Sequence, residues 1–145
     1  MHYEHVVTVR FNEVDRAGIA FFGRVFEYCH ACFEETLAAS GQPLLAIFEH
    51  GGYGLPLVHA EADYTRPMRL GERLLVTLRV ARLGGRSITF AYEVRGAQDK
   101  DLRATVRLVH AFVRLDGFAG MAVPDALRDA LAGLGLLEDA ADTSG

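Results

Sequence analysis

The sequence predicts an α+β domain in which a curved antiparallel β-sheet wraps one long helix. Two patterns lead there: one strand and one long amphipathic helix come first, then a run of four strands follows with little between them. The helix between Arg24 and Ser40 is the only segment long and apolar enough to form the centre. With 145 residues, half of them apolar, the chain suits a single domain with one sizeable core.

Tyr3 to Phe11 alternates Val7, Val9 and Phe11 against Thr8 and Arg10, the pattern of a strand with one buried face. An irregular turn follows around Asp15 and Gly18. From Arg24 to Ser40 the residues Val25 or Phe26, Cys29, Phe33 and Leu37 recur at three- and four-residue steps and make an apolar stripe. Gly41 and Pro43 end that helix. Leu44 to His50 adds a short helical turn before the Gly51-Gly52-Tyr53-Gly54 loop. Strands are then expected over Leu57 to Thr65, Arg73 to Leu83, Ser87 to Val94 and Leu102 to Leu115. Each repeats an inward set, such as Leu74, Val76, Leu78 and Val80, or Ile88, Phe90, Tyr92 and Val94. Gly84-Gly85 marks a short hairpin. Pro124 opens a small terminal helix, because its fixed φ and missing N–H suit a first helical turn. The domain is expected to span residues 1–137, with 138–145 a frayed tail.

Net charge is −4, and the arginines are scattered along strands, so no nucleic-acid footprint is present. The N-terminus Met-His-Tyr-Glu-His lacks a basic and an apolar signal region, and no apolar run approaches the ~20 residues that span a bilayer. A cytosolic protein is expected, with no membrane partner. The only two cysteines, Cys29 and Cys32, read Cys-His-Ala-Cys. They fall inside the predicted helix without a second pair, so they are expected to be buried small apolar residues rather than a zinc or redox site.

The most informative stretch runs from Arg10 to Phe22. It sets the carboxylate of Asp15 at a strand exit, next to an irregular turn and ahead of a helix whose first N–H groups have no intrahelical partner and can face a developing oxyanion. Such a carboxylate can attack a carbonyl or activate water. The plainer reading is that Asp15 is a turn former, for which aspartate is well suited.

Asp15-Arg-Ala-Gly-Ile-Ala-Phe-Phe22 resembles the Asp-x-Ala-Gly-(hydrophobic)-x-(aromatic)-(aromatic) signature of the hot-dog acyl-CoA thioesterases of the 4-hydroxybenzoyl-CoA thioesterase type. Leu55 to Glu72 is similar to that family's second strand and its Arg-Pro…Gly-(acidic) turn. Tyr28 to Leu37 and Pro56 to Ala60 look closest to the 1,4-dihydroxy-2-naphthoyl-CoA hydrolase branch. The resemblance implies a hot-dog fold and hydrolysis of an acyl-CoA thioester, with an aromatic acyl group preferred.

The resemblance also implies roles for particular residues. Asp15 would be the nucleophile or the general base, and the backbone N–H of Phe22 or Gly23 would polarise the thioester oxygen. Gly18, His30 and His59 would meet substrate, His30 standing where 4-hydroxybenzoyl-CoA enzymes can carry an acidic residue. Arg86, after Gly84-Gly85, sits where the family places a basic residue for coenzyme A phosphates. The Ala119 to Pro124 stretch lacks a second one, for which Arg66, Arg69 and Arg82 are candidates. Phe22, Phe26, Phe33, Phe48, Tyr53 and Tyr64 are candidate walls for an aromatic pocket. No metal or cofactor is implied beyond the coenzyme A of the substrate. A homo-oligomer, dimer or tetramer, is expected, with the site between subunits. Two other readings compete: a hot-dog hydratase or dehydratase, which needs an Asp/His or Glu/His pair, and a non-catalytic acyl-CoA-binding module.

Overall fold

A computed structural model describes residues 1–143, with side chains to residue 141. Strand β1 (Tyr3–Thr8) is followed by a 3₁₀ turn (Phe11–Glu13), helix α1 (Arg24–Ser40) and a short helical segment, α2 (Leu44–Ala46), that runs on as a π-turn (Ile47–Gly51). Then come β2 (Tyr53–Gly54), β3 (Leu57–Tyr64), β4 (Arg73–Gly84), β5 (Ser87–Gly96), β6 (Leu102–Ala111), β7 (Val113–Arg114), α3 (Asp125–Gly133) and β8 (Ala141–Thr143). The main sheet has the order β1-β4-β5-β6-β3 with every neighbouring pair antiparallel.

Helix α1 buries Val25, Tyr28, Cys29, Cys32, Phe33, Thr36 and Leu37, one face at steps of three and four residues. Against it lies the inward set of the sheet: Leu74, Val76, Leu78 and Val80, then Ile88, Phe90, Tyr92 and Val94, then Ala104, Val106 and Leu108. The helix stops at Gly41, whose left-handed φ of 89° lets its N–H return to the Ala38 and Leu37 carbonyls. Leu127 and Leu131 of α3 complete the core. Cys29 and Cys32 are buried free thiols. Burial pushes the Cys29 thiol well up and the Cys32 thiol to about 12, so neither forms the reactive thiolate at neutral pH.

Three expectations change. The first strand ends at Thr8, because Arg10 donates its N–H to the Glu13 carboxylate at 2.7 Å and the chain turns there. Phe11 is therefore 83% exposed instead of facing the core. The run from Leu102 to Leu115 breaks at buried Phe112, after which β7 leaves the sheet to pair with β2. At the C-terminal end, placed with the frayed tail by sequence, Ala141–Thr143 pairs in parallel with Arg82–Gly84 of β4. Residues 144–145 lie outside the described residues.

Strand β3 forms one edge of the sheet, and seven of its eight residues are exposed. That leaves Leu57, Val58 and Tyr64 in solvent beside a free row of backbone groups.

Candidate active site

Asp15 sits on a small closed loop. Val14 bridges Ala20, and the Phe21 N–H donates to the Glu13 carbonyl at 2.8 Å. Inside that pairing the Asp15 N–H reaches the Ile19 carbonyl at 2.9 Å, and the Gly18 N–H reaches the Asp15 carbonyl at 3.0 Å. Gly18 takes φ 76°, a left-handed conformation that glycine adopts without strain. The Asp15 side chain turns back on this loop: Oδ1 accepts the Ala17 N–H at 2.8 Å and the Ile19 N–H at 3.4 Å. Asp15 is exposed, and Oδ2 has no hydrogen bond among the described residues. One oxygen is fixed, and the other is presented to solvent.

The loop feeds directly into α1. Gly23 precedes the first helical residue and caps it with no side chain. Among the described residues, the N–H groups of Phe22 and Gly23 also have no protein acceptor. Uncapped N–H groups carry the positive end of the helix dipole. A carboxylate on the preceding loop and free donors at the helix start are the two parts that acyl transfer requires.

An open groove of about 300 Å³ lies beside them, lined by Ile19, Ala20, Phe22, Tyr64, Thr65, Arg66, Pro67 and Met68. The Tyr64 hydroxyl donates to the Phe22 carbonyl, tying the end of β3 to the approach to α1. Of the expected aromatic wall residues, Phe22 and Tyr64 line this groove, while Phe33 and Tyr53 are buried core. Phe48 is exposed elsewhere, in a separate apolar groove with Leu115 and Phe118. Phe26 is half-buried against the core.

The two candidate histidines occupy different settings. His59 is exposed on β3, its Nε2 3.6 Å from the Glu61 carboxylate. His30 is exposed on α1, with its ring centre 6.1 Å from that of His110. No hydrogen bond joins Asp15 to a histidine among the described residues.

His110 was not singled out by sequence. It is 5% exposed and stacks on Phe33 at 4.9 Å between ring centres. Its Nδ1 lies 2.8 Å from the Leu55 carbonyl. A carbonyl only accepts, so Nδ1 carries the proton and Nε2 is an acceptor, buried and without a partner among the described residues. Burial lowers the pKa of His110; the Leu55 contact opposes this, and the nearby His30 adds to it. Partial desolvation by the protein around its ring lowers that of His30 as well, although the residue faces solvent. An unfolded histidine takes up its proton near about 6.5. The folded state resists it, so around and below that pH the unfolded chain binds more protons and stability falls as the pH is lowered. The urea midpoint is expected to drop between pH 7.5 and 5.5, and to drop less in His110→Gln. Equal slopes for the two proteins would contradict this account of His110.

The candidate phosphate ligands are divided between the two ends of the sheet. Arg82 and Arg86 belong to the β4–β5 hairpin, where the 119–123 segment closes in: the Val123 N–H donates to the Gly85 carbonyl at 2.9 Å. Arg66 lies at the other end of β5, beside the Asp15 groove, and pairs with Asp101 at 3.1 Å. Ten strand residues separate those ends, about 30 Å, so one protomer cannot bring Arg66 and Arg86 to the same phosphate. Arg69 bridges Ile19 through its backbone.

The family model of the thioesterase-like superfamily matches residues 9–131. The chain belongs to that superfamily. It is a thioesterase with a hot-dog fold. It is 36% identical over 109 residues to a 1,4-dihydroxy-2-naphthoyl-CoA hydrolase from Nostoc punctiforme, covering 75% of this chain and 74% of the relative. A hydrolase of the same name from Synechococcus elongatus is 32% identical over 128 residues, covering 88% and 93%. Among solved structures, a 1,4-dihydroxy-2-naphthoyl-CoA thioesterase from Synechocystis superposes with a TM-score of 0.86 at 27% identity, covering 93% of this chain and 98% of that one. The dynemicin thioesterase superposes at 0.83 with 25% identity, covering 92% and 96%.

Proposed function

We propose that this thioesterase hydrolyses an aromatic acyl-CoA thioester, of the 1,4-dihydroxy-2-naphthoyl or benzoyl type, to the free acid and coenzyme A. The observation that carries the reading is the Asp15 carboxylate, held by the Ala17 and Ile19 N–H groups with Oδ2 free, ahead of the uncapped start of α1. In one route Oδ2 attacks the thioester carbonyl. The Phe22 or Gly23 N–H stabilises the oxyanion, the C–S bond breaks, and water hydrolyses the acyl-aspartyl anhydride. In the other, Asp15 takes a proton from a water that attacks the same carbon. Both routes consume one water and need no metal or cofactor.

The aryl preference rests on the hydrolases to which the chain is similar and on the apolar groove between Phe22 and Tyr64. A thiol-release panel of aryl-, phenylacetyl-, short-chain and long-chain acyl-CoA, with acyl-carrier-protein thioesters beside them, tests it. At least one aryl-CoA is expected to exceed lauroyl- and palmitoyl-CoA in kcat/KM by tenfold, about 1.4 kcal/mol of transition-state discrimination. The reverse ranking would overturn the aryl assignment. Coenzyme A phosphates are assigned to Arg86 and Arg82 at one end of the sheet, with Arg66 at the other end able to join them only from a second copy of the chain, and with Gly18, His30 and His59 toward the acyl group.

The working form is a dimer or tetramer. Strand β3 has a free edge carrying Leu57 and Val58, and its last residue, Tyr64, reaches the groove. A second copy paired along that edge would cover the apolar side chains and adjoin the site. Light scattering at micromolar concentration is expected to give at least a dimer mass; a monomer would contradict the shared site. Among the described residues no helix is long and apolar enough to cross a membrane, and we place the reaction in the cytosol.

A further inference from the structure

Residues 69–72 of the Arg-Pro…Gly-(acidic) turn have no part in the chemistry above, yet the turn carries the Asp15 loop. The Leu70 N–H donates to the Gly18 carbonyl at 2.9 Å and the Ala20 N–H donates to the Met68 carbonyl at 2.7 Å, the two bonds that set Ile19 opposite Arg69. Ile19 is also the residue that exchanges backbone and side-chain hydrogen bonds with Asp15. Residues 68–70 are thus bonded to both sides of the residue that holds the carboxylate.

What fixes that turn is Arg103 of β6, a buried cation on a sheet position where alternation alone predicts a solvent-facing side chain. Its carbonyl accepts the N–H groups of Thr65 and Arg66 at 2.9 and 3.3 Å, anchoring the start of the turn. Its Nη2 lies 2.7 Å from Glu72 Oε2, anchoring the end. The other oxygen, Glu72 Oε1, accepts the Arg69 N–H at 2.7 Å, and Arg69 is the residue bridged to Ile19. A second carboxylate, Asp99, also lies 2.7 Å from Arg103 Nη2; its other oxygen accepts the Asp101 N–H at 2.8 Å, and among the described residues no hydrogen bond joins it to residues 66–72. Gly96 makes room for this cluster: a Cβ there would come within 2.7 Å of Arg103 Nη2 and 2.2 Å of Asp99 Oδ1. Partial burial would raise the Glu72 carboxyl, but the Arg69 N–H and Arg103 outweigh it and hold it below its usual value.

We infer that Glu72 and Arg103 are positioning residues for Asp15, acting through the 68–70 backbone and its bonds to Gly18 and Ala20 to hold the carboxylate where the acyl carbon arrives. The inference rests on the reading of Asp15 as the working carboxylate. Sub-ångström placement of such a group weighs heavily in rate and little in ground-state binding.

Glu72→Gln and Asp99→Asn separate positioning from mere stability. Both remove a carboxylate from Arg103, but only the first cuts the path to the Asp15 loop, because the Gln amide can still accept from Arg69 while its N–H groups confront the guanidinium. Glu72→Gln is expected to lower kcat at least tenfold with KM within threefold, while Asp99→Asn stays within twofold of the parent kcat. Arg103→Lys, which keeps one cation and loses the fork, is expected to fall between them. Hydrogen exchange provides a readout independent of turnover: the Ala17 and Ile19 amides are expected to exchange faster in Glu72→Gln and at the parent rate in Asp99→Asn. A Glu72→Gln kcat within twofold of the parent, an equal loss in Asp99→Asn, or unchanged Ala17 and Ile19 exchange would each overturn the inference. If the parent releases no thiol from any acyl-CoA, the thioesterase mechanism at Asp15 fails, and the amide exchange alone then decides whether Glu72 and Arg103 hold the loop.

Discussion

Asp15→Asn is expected to lower kcat for an aryl-CoA thioester by about 100-fold or more while leaving acyl-CoA affinity within a few-fold and the fold intact. The structure explains the split. Asparagine keeps an amide oxygen in place of Oδ1, so the Ala17 and Ile19 N–H groups retain their acceptor. The free position then holds an NH₂ group, which neither attacks a carbonyl nor accepts a proton from water. Asp15 is exposed, so stability has little to lose. Steady-state kinetics with circular dichroism would check both halves, and a kcat within a few-fold of the parent would remove Asp15 from the chemistry. Asp15→Glu is expected to be poor as well, since one methylene moves the carboxylate by about an ångström.

The largest stability effect is expected from Phe90→Ala. Phe90 is 1% exposed on β5, with its ring edge toward Phe33 of α1 at 5.0 Å and the ring of His110 at 5.9 Å. It joins helix to sheet at the centre of the core. Truncation leaves a cavity that two β-strands and a helix cannot collapse into, at a cost of roughly 3–5 kcal/mol. Domains of this size are stable by only about 5–15 kcal/mol, so the urea midpoint should fall steeply, with the slope of the transition unchanged. A loss below about 1 kcal/mol would show that the helix–sheet contact is looser than described.

Helix α1 was legible to the residue, because its apolar repeat of three and four has a clear stop at Gly41. Strands β4, β5 and β6 were legible because each turns one face to the core, so the period of two is written plainly in Leu74–Val80 and Ile88–Val94. The Asp15 loop was legible as a motif with an irregular turn at Gly18, which takes a left-handed conformation. Tertiary competition hid the rest. Phe11 fits the strand pattern, but a local side-chain bond between Arg10 and Glu13 turns the chain first. Arg103 alternates as a polar-face residue, yet Glu72, 31 residues earlier in the chain, and the Gly96 gap let it fold inward. His110 carried a signal that was available: Leu102, Ala104, Val106, Leu108, His110 and Phe112 share one alternation, and extending it would have placed the imidazole inside. The division of Arg66 from Arg86 could not be read, because distance along a sheet appears only once the strands are paired.

Product analysis of a single reaction tests the central claim most directly. The parent protein is mixed with 1,4-dihydroxy-2-naphthoyl-CoA or benzoyl-CoA, and free thiol, free acid and remaining thioester are quantified together, with Asp15→Asn run beside it. The account predicts one thiol and one acid for each thioester consumed, at a rate that collapses in Asp15→Asn. Tight binding of the thioester with no thiol released over hours, hydration of an enoyl-CoA without thiol release, or equal rates for the two proteins would contradict it.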